Sequence, residues 1–330
     1  MKQPFFARRL LFPLIPLYRL ALAFRELRLR TGLEPVRRLR FPVVSIGNLS
    51  TGGSGKTPLT IALAKALSGR GLRVDVLSRG YGRQSQLVAK VNPEGTAEEF
   101  GDEPLLIARE TGVPVFVAPR RYEAGQLAEA ALVDSSHPAL HLLDDGFQHR
   151  QLARAVDILL LDRRDWQDSL LPAGNLREPV RAAHRANVLA IPADEPELEG
   201  ELRAWGWQGP VWRLRRKMEI PAVDGPVAAF CGIARPEQFF AGLEAIGLEV
   251  PMKIAFPDHF FYTRQVLEEL IAEAQKKEVT TILTTEKDLA GLGRLVYLFP
   301  KTMPQAVARL RIEIEEQQAA MDWLVGRLRE

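Results

Sequence analysis

The chain has 330 residues, 46% of them hydrophobic and 26% charged, with a formal net charge of +3, the make-up of a globular protein rather than a disordered or collagen-like one. The charge is divided: residues 1–40 hold ten basic and two acidic residues, a net of +8, and the other 290 carry a net of −5. This excludes a protein that coats nucleic acid over its whole surface and points to one local anionic contact, while the single cysteine, Cys231, excludes an intramolecular disulfide and a cysteine zinc cluster and suits a reducing compartment.

Residues 5–29 are rich in Phe, Leu and Ile, yet the longest run without a charge, Leu10 to Tyr18, carries Pro13 and Pro16. A transmembrane helix needs about 20 apolar residues, so this segment does not span a bilayer. Prolines in the apolar core, and arginines where a small-residue cleavage site belongs, also make it a poor secretory signal. From Leu14 onward Leu17, Leu20, Ala21, Phe24 and Leu27 form one stripe at helical spacing, with Arg19, Arg25, Glu26 and Arg30 largely elsewhere. Two readings fit: a helix lying in an anionic membrane interface, or a helix packed on a domain with a solvated basic face.

Phe41–Gly47 reads as a buried strand. The loop after it contains Asn48, Thr51, Gly52, Gly53, Ser54, Gly55, Lys56 and Thr57, and Leu59, Leu63 and Leu67 give the next stretch a helical stripe. Strand, glycine-rich loop, Lys-Thr and helix is the context of a P-loop. Loop amides and the helix N-terminus take the phosphates, Lys56 reaches the β- and γ-phosphates, and the Thr57 hydroxyl can ligate Mg²⁺. Ser50 stands where the usual first glycine falls. Thr51 stands where partitioning-type P-loop ATPases carry a second lysine, and the sequence has no Asn-Lys-x-Asp of the guanine-specific GTPases. ATP is therefore favoured over GTP.

Further along, Ser78-Arg79-Gly80-Tyr81-Gly82-Arg83 follows a strand at 73–77, where open α/β sheets gather ligand loops; it reads as a phosphate clamp or a surface turn. In Gly101-Asp102-Glu103-Pro104, Pro104 suits a first helical position and Glu103 an N-cap. Asp102 is then spare, either a loop residue or a base for a hydroxyl nucleophile. An apolar strand ends in Asp144-Asp145-Gly146, which is either a turn or the acidic strand end that holds Mg²⁺. Gly146–Arg150, Leu171–Pro179 and Phe256–His259 are weaker signals, and a lone histidine such as His259 is usually structural.

Together these segments resemble the tetraacyldisaccharide 4′-kinase (lipid A 4′-kinase) family. The matching stretches are IGNLSTGGSGKT (46–57), SRGYGR (78–83), GDEP (101–104), LDDGFQHR (143–150), LLPAGNLREP (170–179), FPDHFFY (256–262) and TTEKD (284–288). Ser50 is normal within that family. The resemblance implies transfer of the ATP γ-phosphate to the 4′-hydroxyl of a disaccharide-1-phosphate lipid. It implies Asp102 as catalytic base supported by His259, with Lys56 at the phosphates. It implies Thr57, Asp144, Asp145 and Glu178 around Mg²⁺, and Arg79, Tyr81, Arg121, His149 and Arg177 around the phosphates or lipid headgroup. It also implies attachment to an anionic membrane, the cytoplasmic face of the bacterial inner membrane, with no nucleic acid or obligate protein partner. Two other classes are weaker: a membrane-associated P-loop ATPase acting on a protein, against which Thr51 argues, and a soluble ligase related to dethiobiotin synthetase, which leaves the basic head without a purpose.

The expected fold is α/β, a P-loop NTPase-type αβα sandwich with a second, smaller α/β domain on a two-stranded β linker. Residues 1–40 form the membrane-associating segment and 41–210 the P-loop kinase domain, with Asp194–Pro210 as a connector. Residues 211–220 form a linker strand and 221–303 the smaller domain; 304–330 form the return strand and a C-terminal helix. Val211–Arg215 and Arg309–Glu315 alternate in matching fashion, Arg opposite Glu, so a hinge there could carry His259 toward the P-loop.

Overall fold

The structure, a computed structural model, describes residues 10–132 and 138–329. Lys2, Arg8 and Arg9 of the basic head lie outside them. A 3-10 turn leads into helix α1 (Ile15–Arg30). Strand β1 (Val43–Asn48), helix α2 (Lys56–Ser68) and strand β2 (Arg73–Ser78) begin the α/β alternation. It continues through β3 (Ala89–Lys90), α3 (Ala97–Phe100), α4 (Asp102–Thr111), β4 (Val115–Val117), α5 (Arg121–Ala130) and β5 (Ala139–Asp144). Then come β6 (Val156–Leu160), α6 (Arg163–Gln167), β7 (Val188–Pro192) and α7 (Pro196–Ala204). The last part holds β8 (Val211–Glu219), β9 (Val227–Cys231), α8 (Pro236–Ala245), β10 (Met252–Ala255) and α9 (Arg264–Lys276). It ends with β11 (Thr281–Thr285), α10 (Glu286–Leu292), β12 (Gln305–Ile314) and α11 (Gln317–Arg327).

Among the described residues twelve strands make one sheet, in the order β10-β9-β11-β12-β8-β7-β6-β1-β5-β2-β4-β3. Neighbours run parallel except at the β12/β8 and β4/β3 pairs. Parallel strands are covered on both faces, which is why β1, β5, β6 and β7 are buried at every position. One face packs on α2, α4 and α11 through Leu59, Leu63, Leu105 and Leu324; Phe147, Leu49 and Trp207 sit in a separate cluster that receives α1. A further cluster, built on Phe230, Tyr262 and Leu267, belongs to the second half.

The antiparallel pair β8/β12 joins the halves. Its register sets Arg309 opposite Glu219 and Glu313 opposite Arg215, as charge complementarity favours. Arg311 faces Lys217 instead, and it is held by Glu110 at 3.1 Å and Glu286 at 3.2 Å. Those two acids come from α4 in one half and α10 in the other, so Arg311 ties both helices to the β8/β12 pair.

Two local expectations are corrected. The N-cap of α4 is Gly101, not Glu103, and Pro104 is the third helical residue. The first four N–H groups of a helix have no partner within it, so a proline costs nothing there. The stretch Asp194–Pro210 is not only a connector: it contains α7, whose Pro196 starts the helix and whose Leu198 and Leu202 are fully buried.

Helix α1 uses two stripes. Ile15, Tyr18 and Leu22 pack on the first half, and the Tyr18 hydroxyl donates to the Arg177 carbonyl at 2.8 Å. Glu26 pairs with Arg150, and Arg25 reaches the Gln148 carbonyl. The other stripe faces outward: Leu17 and Leu20 are 66% exposed, Phe24 61% and Leu27 55%.

Candidate active site

Strand β1 ends at the phosphate loop, and its register with β5 sets Ile46 beside Asp144. This is the point where the chain order reverses around β1, the crevice in which open α/β sheets bind ligands. Gly47 permits the closeness: a Cβ there would stand 2.5 Å from Phe147 Cβ and 2.8 Å from Phe147 N. The loop carrying Asp145, Gln148 and His149 is thereby laid against the phosphate loop. Gln148 donates to the Asn48 carbonyl at 2.9 Å.

Lys56, the first residue of α2, donates to Asn48 Oδ1 at 3.0 Å and lies 3.6 Å from Asp145. Arg177 grips Asp145 with both nitrogens, at 2.9 and 3.0 Å. Its recessed position raises the Asp145 pKa, but Lys56 and Arg177 outweigh this and hold the carboxyl well below the usual range. Its neighbour behaves oppositely. Asp144 is buried, accepts from Thr60 at 3.2 Å, and is pushed up to about 7 by burial and by the nearby Glu103 and Asp145. Among the described residues no three acidic, histidine or cysteine side chains converge as a metal cluster; the Asp144–Asp145 pair and the buried Thr57 hydroxyl are oxygen groups of the kind a hard cation takes together with substrate phosphates. Glu178 is buried and paired with Arg185 at 2.8 Å, and its Oε1 has no hydrogen-bond partner among the described residues.

Positive charge gathers on the neighbouring wall. Arg121 is buried, donates to the Pro119 carbonyl, and has no partner for Nε among the described residues. Burial, with Arg79 close by, lowers its pKa to about 10. His149 is brought down to about 3 by burial and by Arg121, Arg154, Arg25 and Arg79. Arginines gathered around an uncharged imidazole, one of them with a donor unpaired among the described residues, are chemistry that suits an anion.

The second half contributes the rest. His259, held at φ 57°, places Nδ1 3.1 Å from Asp102 Oδ2. The Tyr81 ring lies 4.9 Å from the His259 ring. Gly101 has φ 92°, and a Cβ there would stand 2.8 Å from the Tyr81 carbonyl oxygen; only glycine lets the 78–83 loop approach the helix that starts with Asp102. Lys287, at the start of α10, touches His259 Nε2 at 3.2 Å and Asp258 at 2.8 Å. Over the phosphate loop, Ala234 Cβ would meet a Gly52 Cβ at 3.2 Å, and Arg235 pairs with Asp162 of the first half.

Most of these groups border one cavity of about 1430 Å³ between the halves. Thr51–Thr57, Arg79, Tyr81, Arg121, Asp144, Asp145, His149, Arg177 and His259 line it. Asn48 and Asp102 stand one hydrogen bond behind the wall, through Lys56 and His259. Glu178 is set back on its bond to Arg185. Sequence reasoning passed over three lining groups. Glu103 was read as a cap. Lys287 lay inside TTEKD with no role attached. The Ile233–Arg235 loop has no motif signal, because a short Ile-Ala-Arg turn carries no spacing that marks it.

The profile of the tetraacyldisaccharide-1-P 4′-kinase family (LpxK) matches residues 7–329. This chain belongs to that family. It is 41% identical over 324 residues to the tetraacyldisaccharide 4′-kinase of Koribacter versatilis, covering 95% of this chain and 97% of that protein. It is 41% identical over 322 residues to the tetraacyldisaccharide 4′-kinase of Anaeromyxobacter dehalogenans strain 2CP-C, covering 89% and 82%. Among solved structures, LpxK from Aquifex aeolicus in complex with ATP superposes with a TM-score of 0.73 at 32% identity, over 98% of this chain and 99% of that one. The mixed α/β architecture of this kinase family is therefore the architecture of this chain.

Proposed function

We propose that the chain transfers the γ-phosphate of ATP to the 4′-hydroxyl of a tetraacyl disaccharide 1-phosphate, working at a membrane surface. The observation that carries this reading is one cavity lined by the Lys56 phosphate loop, the Asp144–Asp145 pair and the His259 that bonds Asp102. Membership in a family of phosphotransferases acting on a hydroxyl group supports it. A reading as an ATPase acting on a partner protein is not favoured.

In this mechanism the loop amides and Lys56 hold the β- and γ-phosphates of ATP. Asp102 accepts the proton of the sugar hydroxyl as its oxygen bonds to the γ-phosphorus. The bond from phosphorus to the bridging oxygen breaks, and ADP leaves. Thr57, Asp144, Asp145 and Glu178 would hold Mg²⁺. There the ion would neutralise the charge gathering on the polyphosphate. Arg121, Arg79 and His149 take the acceptor's phosphate and headgroup, with Tyr81 and Arg177 bounding the same space.

No described helix is long and apolar enough to cross a membrane. The outward stripe of α1 and its arginines would lie in an anionic interface, placing the protein peripherally at the cytoplasmic face of the bacterial inner membrane. Residues 41–210 act as the kinase domain and 221–303 as the smaller domain, with β8 and β12 as the hinge between them. The test is phosphate transfer from ATP with and without lipid disaccharide acceptor, on wild type and Asp102→Ala. Phosphate recovered in the lipid, only with acceptor and at a turnover sharply reduced in Asp102→Ala, is the expected result. Acceptor-independent hydrolysis as the main activity would falsify the kinase reading, and near-normal kcat in Asp102→Ala would remove the base assignment.

A further inference from the structure

We infer that Ser50 is a positioning residue: its hydroxyl, standing where a phosphate loop usually has its first glycine, fixes the Asn48 amide that aims Lys56. The inference rests on the reading of Lys56 as the lysine at the ATP phosphates. The geometry is a chain of side chains within one loop. Asn48 Nδ2 donates to Ser50 Oγ at 3.1 Å, and Lys56 Nζ donates to Asn48 Oδ1 at 3.0 Å.

A side-chain amide has one end that donates and one that accepts. The accepting end of Asn48 faces two cations, because Arg177 also donates to Oδ1. Turning the amide over would set its N–H groups against the ammonium and the guanidinium. The donating end needs an acceptor of its own, since Asn48 and Ser50 are both buried and a buried N–H without a partner is unfavourable. Ser50 Oγ is that acceptor. Its own proton is turned the other way, toward the buried Asp165 carboxyl. Burial and the nearby Asp162 push that carboxyl up to about 6, and the bond from Ser50 opposes them, so above that pH a carboxylate holds the hydroxyl proton. A glycine at position 50 would remove the acceptor and free the amide to turn. Nor does the backbone ask for glycine, because Ser50 lacks the positive φ that favours it. The main chain of Ser50 supplies the second cation. It pairs antiparallel with Leu176, between a bond from Thr51 N to the Asn175 carbonyl at 2.8 Å and one from Arg177 N to the Leu49 carbonyl at 2.7 Å. That pairing seats Arg177 beside Asn48.

The competing role for Ser50 is size alone, a small side chain where the loop has little room. The experiment separates the two with the full chain, ATP and the lipid disaccharide acceptor. Wild type is compared with Ser50→Gly, Ser50→Ala, Asn48→Ala and the double variant Asn48→Ala/Ser50→Ala. Ser50→Gly restores the usual residue and is harmless if only size matters. The expected result is a loss of kcat of ~10-fold or more in both Ser50→Gly and Ser50→Ala, part of the ~10²–10³-fold that an aimed electrostatic donor supplies. KM for ATP stays within about threefold, as for an interaction made in the transition state. In the double variant kcat matches that of Asn48→Ala within about twofold, because the two residues act along one path. Normal kcat in Ser50→Gly overturns the inference. So does a double variant in which the two losses multiply, which would give Ser50 an effect independent of Asn48, and so does a raised KM for ATP at full kcat. Binding of a non-hydrolysable ATP analogue and a cooperative melting transition are followed in every variant. A Ser50 variant that loses either makes Ser50 a packing residue and overturns the inference too. Failure of the Lys56 reading itself shows elsewhere, as near-normal kcat in Lys56→Ala.

Discussion

Lys56 illustrates how one side chain serves two states. It bonds Asn48 at 3.0 Å and lies 3.6 Å from Asp145, so its neighbours fix where its charge points. Such preorganisation costs no rearrangement at the moment of reaction. Lys56→Ala should lower kcat by roughly 10²–10³-fold at saturating substrates, comparable to loss of other electrostatic donors; a change of only a few fold would remove it from the transition state. His149 gives a pH prediction. Its folded pKa is down at about 3, through burial and then the arginines around it, while an unfolded histidine titrates near 6.5. Between those values the unfolded chain binds the extra proton, so His149 costs stability progressively as pH falls from about 6.5 toward 3. A histidine titration followed by NMR should show His149 silent from pH 8 to 5. An anionic ligand among the arginines should raise its pKa, and an unmoved signal at saturating acceptor would place the headgroup elsewhere.

At the scale of elements, α1 answers a question its sequence left open. The apolar stripe did fit both a packed and a membrane-facing helix. The structure assigns packing to Ile15, Tyr18 and Leu22 and leaves Leu17, Leu20, Phe24 and Leu27 outward. Full burial of a large apolar side chain is worth roughly 1.5–3 kcal/mol, and a basic residue near an anionic leaflet about 1 kcal/mol. Replacing Leu17, Leu20 and Phe24 together by Ser should cut binding to anionic vesicles by ~10-fold or more, without loss of nucleotide binding, since none of the three supports the core. Sedimentation with vesicles reads this, and unchanged binding would take the stripe out of the membrane contact. Helix α4 makes a different point. GDEP marked a helix start correctly, but the cap was misplaced, because proline is accepted anywhere in a first turn and does not by itself fix the register.

At the scale of the whole molecule, the two halves are joined by β8/β12 and by contacts across the cavity. Arg235–Asp162 ties the loop over the phosphate site to the first half, with both side chains largely buried at 14% and 8% exposure. Removing one partner of such a pair leaves an uncompensated charge and costs about 3–5 kcal/mol. Arg235→Ala should therefore lower unfolding stability by about that amount and raise KM for ATP; intact stability and KM would mean that this contact does not hold the halves closed. The phosphate loop, the acidic strand end and the alternation of strands and helices were legible in the sequence, because each rests on local spacing and on side-chain types that few other structures need. Much of the pairing of β8 with β12 was legible too, since strands written in complementary charge declare their partner. What only the tertiary structure decided was the meeting of residues far apart in the chain. Asp102 and His259, joined in the sequence only through the family resemblance, are 157 positions apart, and Lys287 comes to the same imidazole from another helix. Periodicity and propensity act over a few residues, whereas these contacts depend on how a twelve-stranded sheet sets the two halves of the chain. The +8 head follows the same division: its charge and stripe were written in the sequence, but which face stays outside was fixed by where Tyr18 and Glu26 find Arg177 and Arg150.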